Sequence, residues 1–466
     1  MPFAHPRPLP VSMPVSGHEP EADTQALLAE ARRLGENGHT EEAFAAYIAL
    51  LSRLPNDLSA LHGLGRLAYR TGRLSAAKSI YEQLGAHWPL DVTGRVNLGC
   101  LLYEGGDLDG AEAQFEAALA LDGALSDPHR GLARIAQDRG DDEKAQTHWC
   151  KSFPGQAAAT QPFRGKTEPA PLLMLVSTKG GNIPTQHILD DRIHATTALY
   201  VDYYRPDLPL PPHGLILNAI GDADRCGTAL AIAAAIVARS DKPAINPPAR
   251  VRETGRAANA ERLGQLPGVR TPKTQVLRRD QIATSSAQDF PLLLRAPGFH
   301  TGQHFVRVET RRELDEAAAA LPGEELLLIE YLDARGADGL ARKYRVMIID
   351  GVFYPLHLAV SADWKVHYFS ADMLASQACR AEEQCFLEDM PAVLGDRAMA
   401  ALAQIAQSLG LDYAGVDFAL DADGTLLLFE ANATMLINPP GPEPVWDYRR
   451  AAAARALAAA QKLLEA

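Results

Sequence analysis

Residues 415–432 read GVDFALDADGTLLLFEAN, a stretch that predicts two antiparallel strands joined by a tight turn. Aspartate and glycine in residues 421–424 (DADG) indicate the turn, because both residue types are frequent in tight turns. The apolar residues on both sides of the turn have the density expected of strands that pack in a core. The stretch therefore predicts a β-hairpin that belongs to a packed unit.

The register of this hairpin determines where its acidic residues lie. If Leu420 pairs with Thr425 across the turn, Asp417 lies opposite Leu428. Because side chains alternate along a strand, Glu430 then shares a face with Leu428. Asp417 and Glu430 become diagonal neighbours, roughly 7–8 Å apart, and their side chains can converge on one cation.

Three oxygen-bearing side chains on this face predict a metal site, formed by Asp417, Glu430 and Asn432. Magnesium prefers oxygen ligands and usually keeps waters and substrate phosphates. The alternative is an ordinary hairpin with exposed acids, but unpaired charge inside a strongly apolar strand is costly. The apolar residues predicted to face the core on the opposite side are Val416, Phe418, Leu420, Leu427 and Phe429.

Upstream of the hairpin, a glycine loop lies between two short apolar runs. Residues 290–295 (FPLLLR) and 305–308 (FVRV) predict strands, and residues 296–304 (APGFHTGQH) connect them. Backbone N–H groups of a glycine loop can bind phosphate, which makes Gly298 and Gly302 candidates.

Two further strands follow this loop. Residues 326–332 (LLLIEYL) are apolar and end next to Asp333. Residues 343–352 (KYRVMIIDGV) contain an Asp-Gly pair and predict a second hairpin.

The order of these motifs resembles that of ATP-grasp ligases related to glutathione synthetase and to ribosomal-protein glutamate ligases. The resemblance also includes residues 243–248 (PAINPP), a helix that carries Arg256, and residues 266–274 (LPGVRTPKT). It implies an α+β ATP-grasp domain over residues 248–466, preceded by an α/β domain over residues 171–247. It also implies ATP and Mg²⁺, with two ions, as cofactors.

The resemblance implies a role for each matching residue. The ATP-binding residues would be Arg256, Arg295, Gly298, Gly302, Glu330, Tyr331, Leu332 and Asp333. The catalytic residues would be Arg345 and Arg295, because cations can neutralise charge on a transferred phosphoryl group. The family usually has lysine at the positions of Arg256 and Arg295, and arginine can also hold phosphate through two bonds.

Residues 171–247 alternate apolar strands with a helix, which predicts a parallel α/β unit. Loops after the carboxyl ends of such strands often bind ligands. The residues predicted to contact substrate are Asn182, His187 and Asn218 on these loops, and His357 on a later strand. Ordinary turn and capping chemistry is the alternative for each of them.

The N-terminal part of the chain repeats every 34 residues. The repeated positions are glycine at 38, 72, 106 and 140, alanine at 43, 77, 111 and 145, and Tyr47, Tyr81, Phe115 and Trp149. The glycine predicts a turn between two helices, the alanine their close approach, and the aromatic ring the filling between repeats. The pattern resembles the tetratricopeptide repeat, which implies an all-α solenoid of four repeats over residues 21–155.

The resemblance also implies a concave groove that binds a peptide or protein. Arg32, Arg66, Cys100 and Arg134 occupy one 34-residue column, and Arg130 shares another with His62. These arginines predict a groove for an acidic peptide or a carboxylate. A solvated basic face is the alternative that the sequence leaves open.

Composition limits the remaining classes of function. The net charge of −13 argues against a chain that coats nucleic acid, which needs clustered lysine and arginine. The five cysteines have no zinc or disulfide spacing, and no apolar run is long enough to span a bilayer. We expect a cytoplasmic protein without membrane contact, with a disordered leader over residues 1–20 and a linker over residues 156–170. A homodimer is possible.

The expected fold is therefore multidomain, an all-α tetratricopeptide solenoid followed by α/β and α+β ATP-grasp domains. The expected function is an ATP-dependent ligase that joins a small-molecule or peptide carboxylate to an amine or thiol through an acyl phosphate. The repeats would recruit a peptide or protein partner. The alternative is a nucleotide-binding scaffold without turnover, in which the repeats mediate protein interaction.

Overall fold

The computed structural model of the protein describes residues 20–153, 155–285, 289–297, 303–366 and 373–465. The chain divides at residue 156 into two compact units. The predicted leader, apart from Pro20, and both glycines of the predicted phosphate loop lie outside the described residues.

The first unit is helical over its described residues. Its helices are α1 (Pro20–Glu36), α2 (Thr40–Arg53), α3 (Leu58–Arg70), α4 (Leu74–His87), α5 (Val92–Glu104), α6 (Leu108–Leu121), α7 (Ser126–Asp138) and α8 (Asp142–Ser152). Glycines 38, 72, 106 and 140 join the two helices of successive pairs, and their φ angles are all positive. Side-chain-bearing residues rarely adopt this conformation, so the predicted turn role of these glycines is confirmed.

The repeated aromatic rings pack against glycines on neighbouring helices. A Cβ atom built on Gly65 would lie 2.8 Å from the Tyr81 ring, and one on Gly99 would lie 2.7 Å from the Phe115 ring. Phe115 also contacts Gly131 on the first helix of the next pair. The aromatic residues therefore fill the space within and between repeats, as predicted.

The second unit begins with a sheet covered by one long helix. Its elements are β1 (Ala158–Thr160), β2 (Ala170–Val176), β3 (His194–Tyr200), β4 (Leu215–Asn218), α9 (Ala223–Val237) and β5 (Ala244–Ile245), with strand order β1-β3-β2-β4-β5. The pairs β2–β3, β2–β4 and β4–β5 are parallel, as predicted. Strand β1 pairs antiparallel with β3, so the segment predicted as a linker contributes an edge strand.

The remaining elements of the second unit are the strands of two further sheets and the helices between them. They are α10 (Pro248–Arg252), α11 (Arg256–Leu263), β6 (Val269–Arg270), β7 (Thr274–Arg278), α12 (Arg279–Thr284), β8 (Leu292–Arg295), β9 (Phe305–Val308), α13 (Arg311–Ala320), β10 (Glu325–Glu330), β11 (Ala341–Ile349), β12 (Val352–Ser361), α14 (Gln377–Glu388), α15 (Met390–Leu409), β13 (Tyr413–Leu420), β14 (Leu426–Asn432) and α16 (Asp447–Lys462). The smaller sheet has the order β7-β10-β8-β9, and the larger has β12-β11-β13-β14-β6.

One face of the larger sheet is buried under helices α14, α15 and α16. Val346, Phe418 and Leu428 from the strands join Phe386 and Leu402 from the helices in a single apolar core. Polar side chains concentrate on the opposite face, which carries the candidate site.

The β13–β14 hairpin forms as predicted, but its predicted register is wrong. The Asp421 N–H donates to the Thr425 carbonyl, and Leu420 pairs with Leu426 rather than with Thr425. The reason is a loop longer than assumed, in which Gly424 adopts a φ of +79°.

A β-bulge then changes the pairing again. Phe418 pairs with Leu428, but Asp417 pairs with Glu430, so Phe429 is an extra residue in β14. Leu428 therefore lies in the core, whereas Leu427 and Phe429 pack with Ala419 in a separate small cluster. The predicted core positions of Leu427 and Phe429 are wrong because the longer loop moves both residues to the face of Ala419. The bulge makes Asp417 and Glu430 direct rather than diagonal neighbours.

Candidate active site

Four polar residues lie in direct register across four strands of the larger sheet. His357 of β12 pairs with Arg345 of β11, Arg345 with Asp417 of β13, and Asp417 with Glu430 of β14. We call these four residues the polar row. A second bulge in β12, next to His357, accompanies the one at Phe429, so each outer strand of the row is locally irregular.

Asp417 is 2% exposed and is held by two cations. Arg345 donates to both carboxylate oxygens, from Nε at 2.6 Å and from Nη2 at 2.8 Å. The Lys343 Nζ atom lies 3.0 Å from Oδ2. Burial by itself would raise the pKa of Asp417, but Arg345 and Lys343 hold it well below its ordinary value. Asp417 is therefore ionised at neutral pH.

Glu430 has a different set of partners. Arg256, the first residue of α11, donates from Nη2 to Glu430 Oε1 at 2.8 Å, and the Asn432 Nδ2 group donates to the same oxygen at 2.9 Å. Burial opposes ionisation of Glu430, but the charges of Arg256 and Arg295 lower its pKa below the ordinary value. The backbone N–H of Arg256 also donates to Asp224, at 3.1 Å to Oδ1.

Two of the three predicted metal ligands, Asp417 and Glu430, carry the oxygen donors that magnesium prefers, whereas the Asn432 amide oxygen accepts hydrogen bonds from Thr434. Asp417 and Glu430 are ionised oxygen donors at directly paired positions, and Asn432 contacts Glu430. Within the part of the chain that the structure describes, no group of three or more His, Cys, Asp or Glu side chains forms a ready metal cluster. Arg256 and Lys343 occupy carboxylate oxygens that an ion would use.

His357 is buried beside this charged pair. Burial and the neighbouring Arg345 charge lower the pKa of His357 well below its ordinary value, so its imidazole is neutral at pH 7. It was predicted as a substrate contact on a later strand, and the structure places it on β12 at the end of the polar row.

Aromatic rings and cations alternate near the smaller sheet. The Arg295 guanidinium lies 5.5 Å from the Phe305 ring centre, and the Arg307 guanidinium lies 4.4 Å from the Tyr331 ring centre. Trp364 contacts both rings edge-on, at centroid distances of 5.6 Å to Phe305 and 6.3 Å to Tyr331. Aromatic faces of this kind can stack on a nucleobase.

The predicted ATP-binding residues at the end of β10 and just after it contact other parts of the same unit. Leu332 packs with Ala419 and Leu427 in the small apolar cluster, in which all three side chains are buried. Glu330 accepts hydrogen bonds from Arg270, at 3.0 Å, and from the Lys273 N–H, also at 3.0 Å. Its carboxylate therefore joins the end of β10 to β6 and to the segment that precedes β7.

Asp333, predicted as an ATP-binding residue, is exposed and is bound by Arg335, two residues further along the chain. Arg335 donates to Asp333 Oδ2 from Nη2 at 2.6 Å. This ion pair would have to rearrange before the carboxylate could bind a sugar hydroxyl.

The predicted substrate residues of the first sheet stabilise their own loops. The Asn182 side chain bonds to both backbone groups of Ser177, and the buried Asn218 side chain bonds to both backbone groups of Ile220. His187 is exposed, and its carbonyl accepts a hydrogen bond from Gln461. The structure brings Asn182 and Asn218 together near Ile220, while His187 lies on the surface.

The four arginines predicted to line the groove of the repeats are half-buried, and each lies on the first helix of a pair. Arg32, Arg66 and Arg134 lie on α1, α3 and α7, and Arg130 is bound to Asp127 one turn away. Two tyrosines that are 34 residues apart on these first helices donate hydrogen bonds to acidic side chains of the following repeat. These hydrogen bonds run from Tyr69 to Glu104 at 2.6 Å and from Tyr103 to Asp138 at 2.7 Å.

Sequence reasoning missed three residues of the site. Lys343 and Arg307 were not selected because they are ordinary strand residues in sequence, and Ala419 was not selected because it is small and apolar. Alternation along β11 carried a usable signal for Lys343, since it lies two residues before Arg345 and so shares its face.

Comparison with known proteins concerns the repeat region. The tetratricopeptide repeat family matches residues 28–89 and 64–128. No curated protein matches the chain. No described helix is long and apolar enough to cross a membrane.

Several solved structures are similar to part of the chain. "MamA MSR-1 C2" is 20% identical, covers 29% of this chain and 78% of that chain, and has a TM-score of 0.26. A thermophilic tetratricopeptide repeat protein of Thermus thermophilus is 20% identical, covers 28% and 73%, and has a TM-score of 0.25. "Crystal structure of MamA" is 15% identical, covers 28% and 80%, and has a TM-score of 0.27. By the family match, residues 28–128 consist of tetratricopeptide repeats.

Proposed function

We propose that the second unit is an ATP-dependent ligase that activates a carboxylate and joins it to an amine or thiol. The observation that carries the proposal is the polar row, in which ionised acids and cations are buried side by side on one face of a sheet. Charges are costly to bury and add little to stability, so a functional reason for them is needed. Phosphoryl transfer supplies one, because it is catalysed chiefly by positioning and charge neutralisation.

The proposed reaction has two steps. A carboxylate oxygen of the substrate attacks the γ-phosphorus of ATP, the bond to the β–γ bridging oxygen breaks, and ADP leaves with its electron pair. The nitrogen or sulfur nucleophile then attacks the acyl carbon, loses its proton, and displaces inorganic phosphate. No covalent bond to the protein is required.

Each residue has a task that follows from its position. Asp417, Glu430 and Asn432 would hold Mg²⁺, which when bound supplies positive charge to the phosphate oxygens. Arg345 is fixed by two bonds to Asp417, so its charge is preorganised for the transferred group. Arg256 and Arg295 supply further cations for the phosphates.

The base would lie between the aromatic rings and the apolar cluster. Tyr331 and Trp364 offer ring edges and faces, and Leu332, Ala419 and Leu427 offer apolar contact. The repeats would bind a peptide or protein, which presents the acid or the nucleophile to this unit. The half-buried arginines favour an acidic partner.

The test is release of phosphate from ATP by the full chain, with panels of carboxylates and amines. Asp417→Asn should reduce turnover by about a thousandfold or more, because it removes an ionised ligand and leaves Arg345 unpaired. Asp423→Asn is the matched control, because Asp423 belongs to the turn of the same hairpin and pairs with Arg397 on the surface. If Asp417→Asn turns over ATP like the wild type, the ligase proposal is wrong.

A second outcome would identify the scaffold instead. In that case the chain would bind ATP tightly but turn it over with no acid or amine. The wild type and Arg345→Met would also bind ATP equally well, which would indicate nucleotide recognition without catalysis. Absence of any nucleotide binding would contradict both functions.

A further inference from the structure

The cationic side chains that bind Asp417 and Glu430, the two carboxylates of the polar row, differ in the number of bonds that hold them in place. Arg345 contacts Asp417 through two nitrogens and comes from the adjacent strand at the paired position. Lys343 contacts Asp417 through one nitrogen at 3.0 Å, at the end of a flexible side chain. Arg345 is therefore a fixed partner, and Lys343 is an exchangeable one.

Arg256 is also an exchangeable partner. Its Nη2 atom makes one bond to Glu430, at 2.8 Å, while its Nη1 atom lies 3.4 Å from Asp224. If Arg256 left Glu430, it would keep a carboxylate neighbour through Asp224. The side chains of Arg256 and Lys343 are each 16% exposed, so both lie at the surface of the cleft rather than in bulk water.

A divalent cation that enters alone must displace both exchangeable partners. Lys343 would then remain in a poorly hydrated place without a counter-charge, and Arg256 would keep only its longer contact with Asp224, which is unfavourable. A polyphosphate that arrives with the cation removes this obstacle, because phosphate oxygens bind arginine and lysine well. The cation takes the carboxylates, and the phosphates take the displaced side chains.

We propose that Lys343 and Arg256 cage the metal-binding carboxylates, so that the cleft accepts a nucleoside polyphosphate and a divalent cation together and either of them poorly alone. This inference rests on the proposed function and adds a regulation of the same site. Coupling of this kind is reciprocal, since each ligand must tighten the other by the same factor.

The experiment measures binding of Mn²⁺ alone to the full chain, by the loss of the free-ion signal in electron paramagnetic resonance. Arg256→Met and Lys343→Met each remove one caging charge and keep an unbranched side chain. Each should bind Mn²⁺ alone about tenfold more tightly than the wild type. Arg256→Lys keeps the charge and should remain close to the wild type.

Arg397→Met is the matched control, because it removes an arginine from an exposed carboxylate of the same hairpin. It should leave Mn²⁺ affinity unchanged. Circular dichroism melts identify variants that are folded. If folded Arg256→Met and Lys343→Met both bind Mn²⁺ no better than the wild type, or if Arg397→Met gains as much, the caging inference is wrong.

A separate titration distinguishes this failure from failure of the proposed function. A non-hydrolysable ATP analogue is titrated calorimetrically into the wild type, with Mg²⁺ or with excess chelator. The wild type should bind it with Mg²⁺ and lose about tenfold or more in affinity without it. Equal affinity in both conditions overturns the cage but leaves nucleotide binding in place, and no binding in either overturns both.

Discussion

The repeat unit and the large sheet of the second unit use burial in opposite ways. In the repeats, the inward positions are alanine, leucine and aromatic residues that recur every 34 residues, and they need no special partners. In the large sheet, one face is equally apolar, but the other carries Asp417 at 2% exposure among cations. Apolar side chains of similar volume would stabilise the sheet at least as well, so stability does not account for the charged face. The contrast separates residues whose burial explains the fold from buried charged residues whose presence stability does not explain.

The largest effect is expected for substitutions in the polar row, where the free energy of unfolding and the rate of ATP turnover should respond differently. Asp417→Asn leaves Arg345 and Lys343 without their shared counter-charge and should cost about 3–5 kcal/mol of unfolding free energy. The triple change Asp417→Leu, Arg345→Leu and Lys343→Met removes every charge of the group and should restore most of that stability, while turnover stays lost. Urea unfolding and phosphate release measure the two quantities.

If the triple variant were as unstable as Asp417→Asn, the charges would be needed for folding and the contrast between the two units would disappear.

The next effect tests the repeat unit. Leu84 is fully buried in the repeat core, so Leu84→Ala should cost about 3 kcal/mol through lost contacts and a cavity. Leu90, which is 77% exposed, provides the control, and Leu90→Ala should change little. Thermal unfolding followed by circular dichroism measures both.

ATP turnover without a repeat-bound partner should be the same in Leu84→Ala as in the wild type, at temperatures where both are folded. A proportional loss of turnover would show that the two units are not energetically separate.

A smaller effect concerns pH. Burial lowers the pKa of His357 in the folded chain, so only the unfolded chain takes up this proton as pH falls below about 6.5. The contribution of His357 to the free energy of unfolding is complete above that pH. It decreases by about 1.4 kcal/mol for each pH unit below it. His357→Gln should flatten the dependence of unfolding free energy on pH between about 6.5 and 5.5.

His213→Gln, which changes a histidine bonded to Pro211 and Ser240 near the surface, is the comparison for this experiment. An unchanged slope in His357→Gln would mean that His357 is protonated in the folded protein.

The smallest effect tests helix capping in the repeats. Asp57 caps α3 by accepting the Ala60 N–H at 2.7 Å, and Asp57→Ala should cost about 1 kcal/mol. The equivalent residue of α7 is Leu125, but the equivalent of Ala60 there is Pro128, which has no N–H to donate. Leu125→Asp should therefore gain almost nothing, and a gain as large as the Asp57→Ala loss would contradict this explanation.

The repeats could be predicted closely because each environment occurs several times in one sequence. A single glycine at position 38 is weak evidence, but four glycines at one spacing, followed by alanine and an aromatic ring, fix a helix–turn–helix unit. The first sheet and the β11–β12 hairpin could be predicted from apolar runs and an Asp-Gly turn.

The candidate site could be predicted only in part. Asp417, Glu430 and Arg345 were selected, and the structure places them side by side. The register could not be predicted, because a loop one residue longer and a bulge leave no clear mark in DADG or in LLLFEAN. The contacts of Arg256 with Glu430 and Asp224 are long-range and are not contained in local sequence patterns, whereas alternation along β11 already places Lys343 on the face of Arg345.

The extra residue at Phe429 can be understood as a shift of reading frame. Side-chain alternation is a two-state frame along a strand, with one state for the core and one for the cleft. Before the bulge, Leu428 faces the core. After the bulge, Ala431 faces the core, and Glu430 therefore faces the cleft. If Phe429 were instead paired as a regular strand residue, without the bulge, alternation would direct Glu430 into the apolar core and Ala431 into the cleft. In this hairpin the bulge at Phe429 therefore determines whether the Glu430 carboxylate faces the cleft or the apolar core.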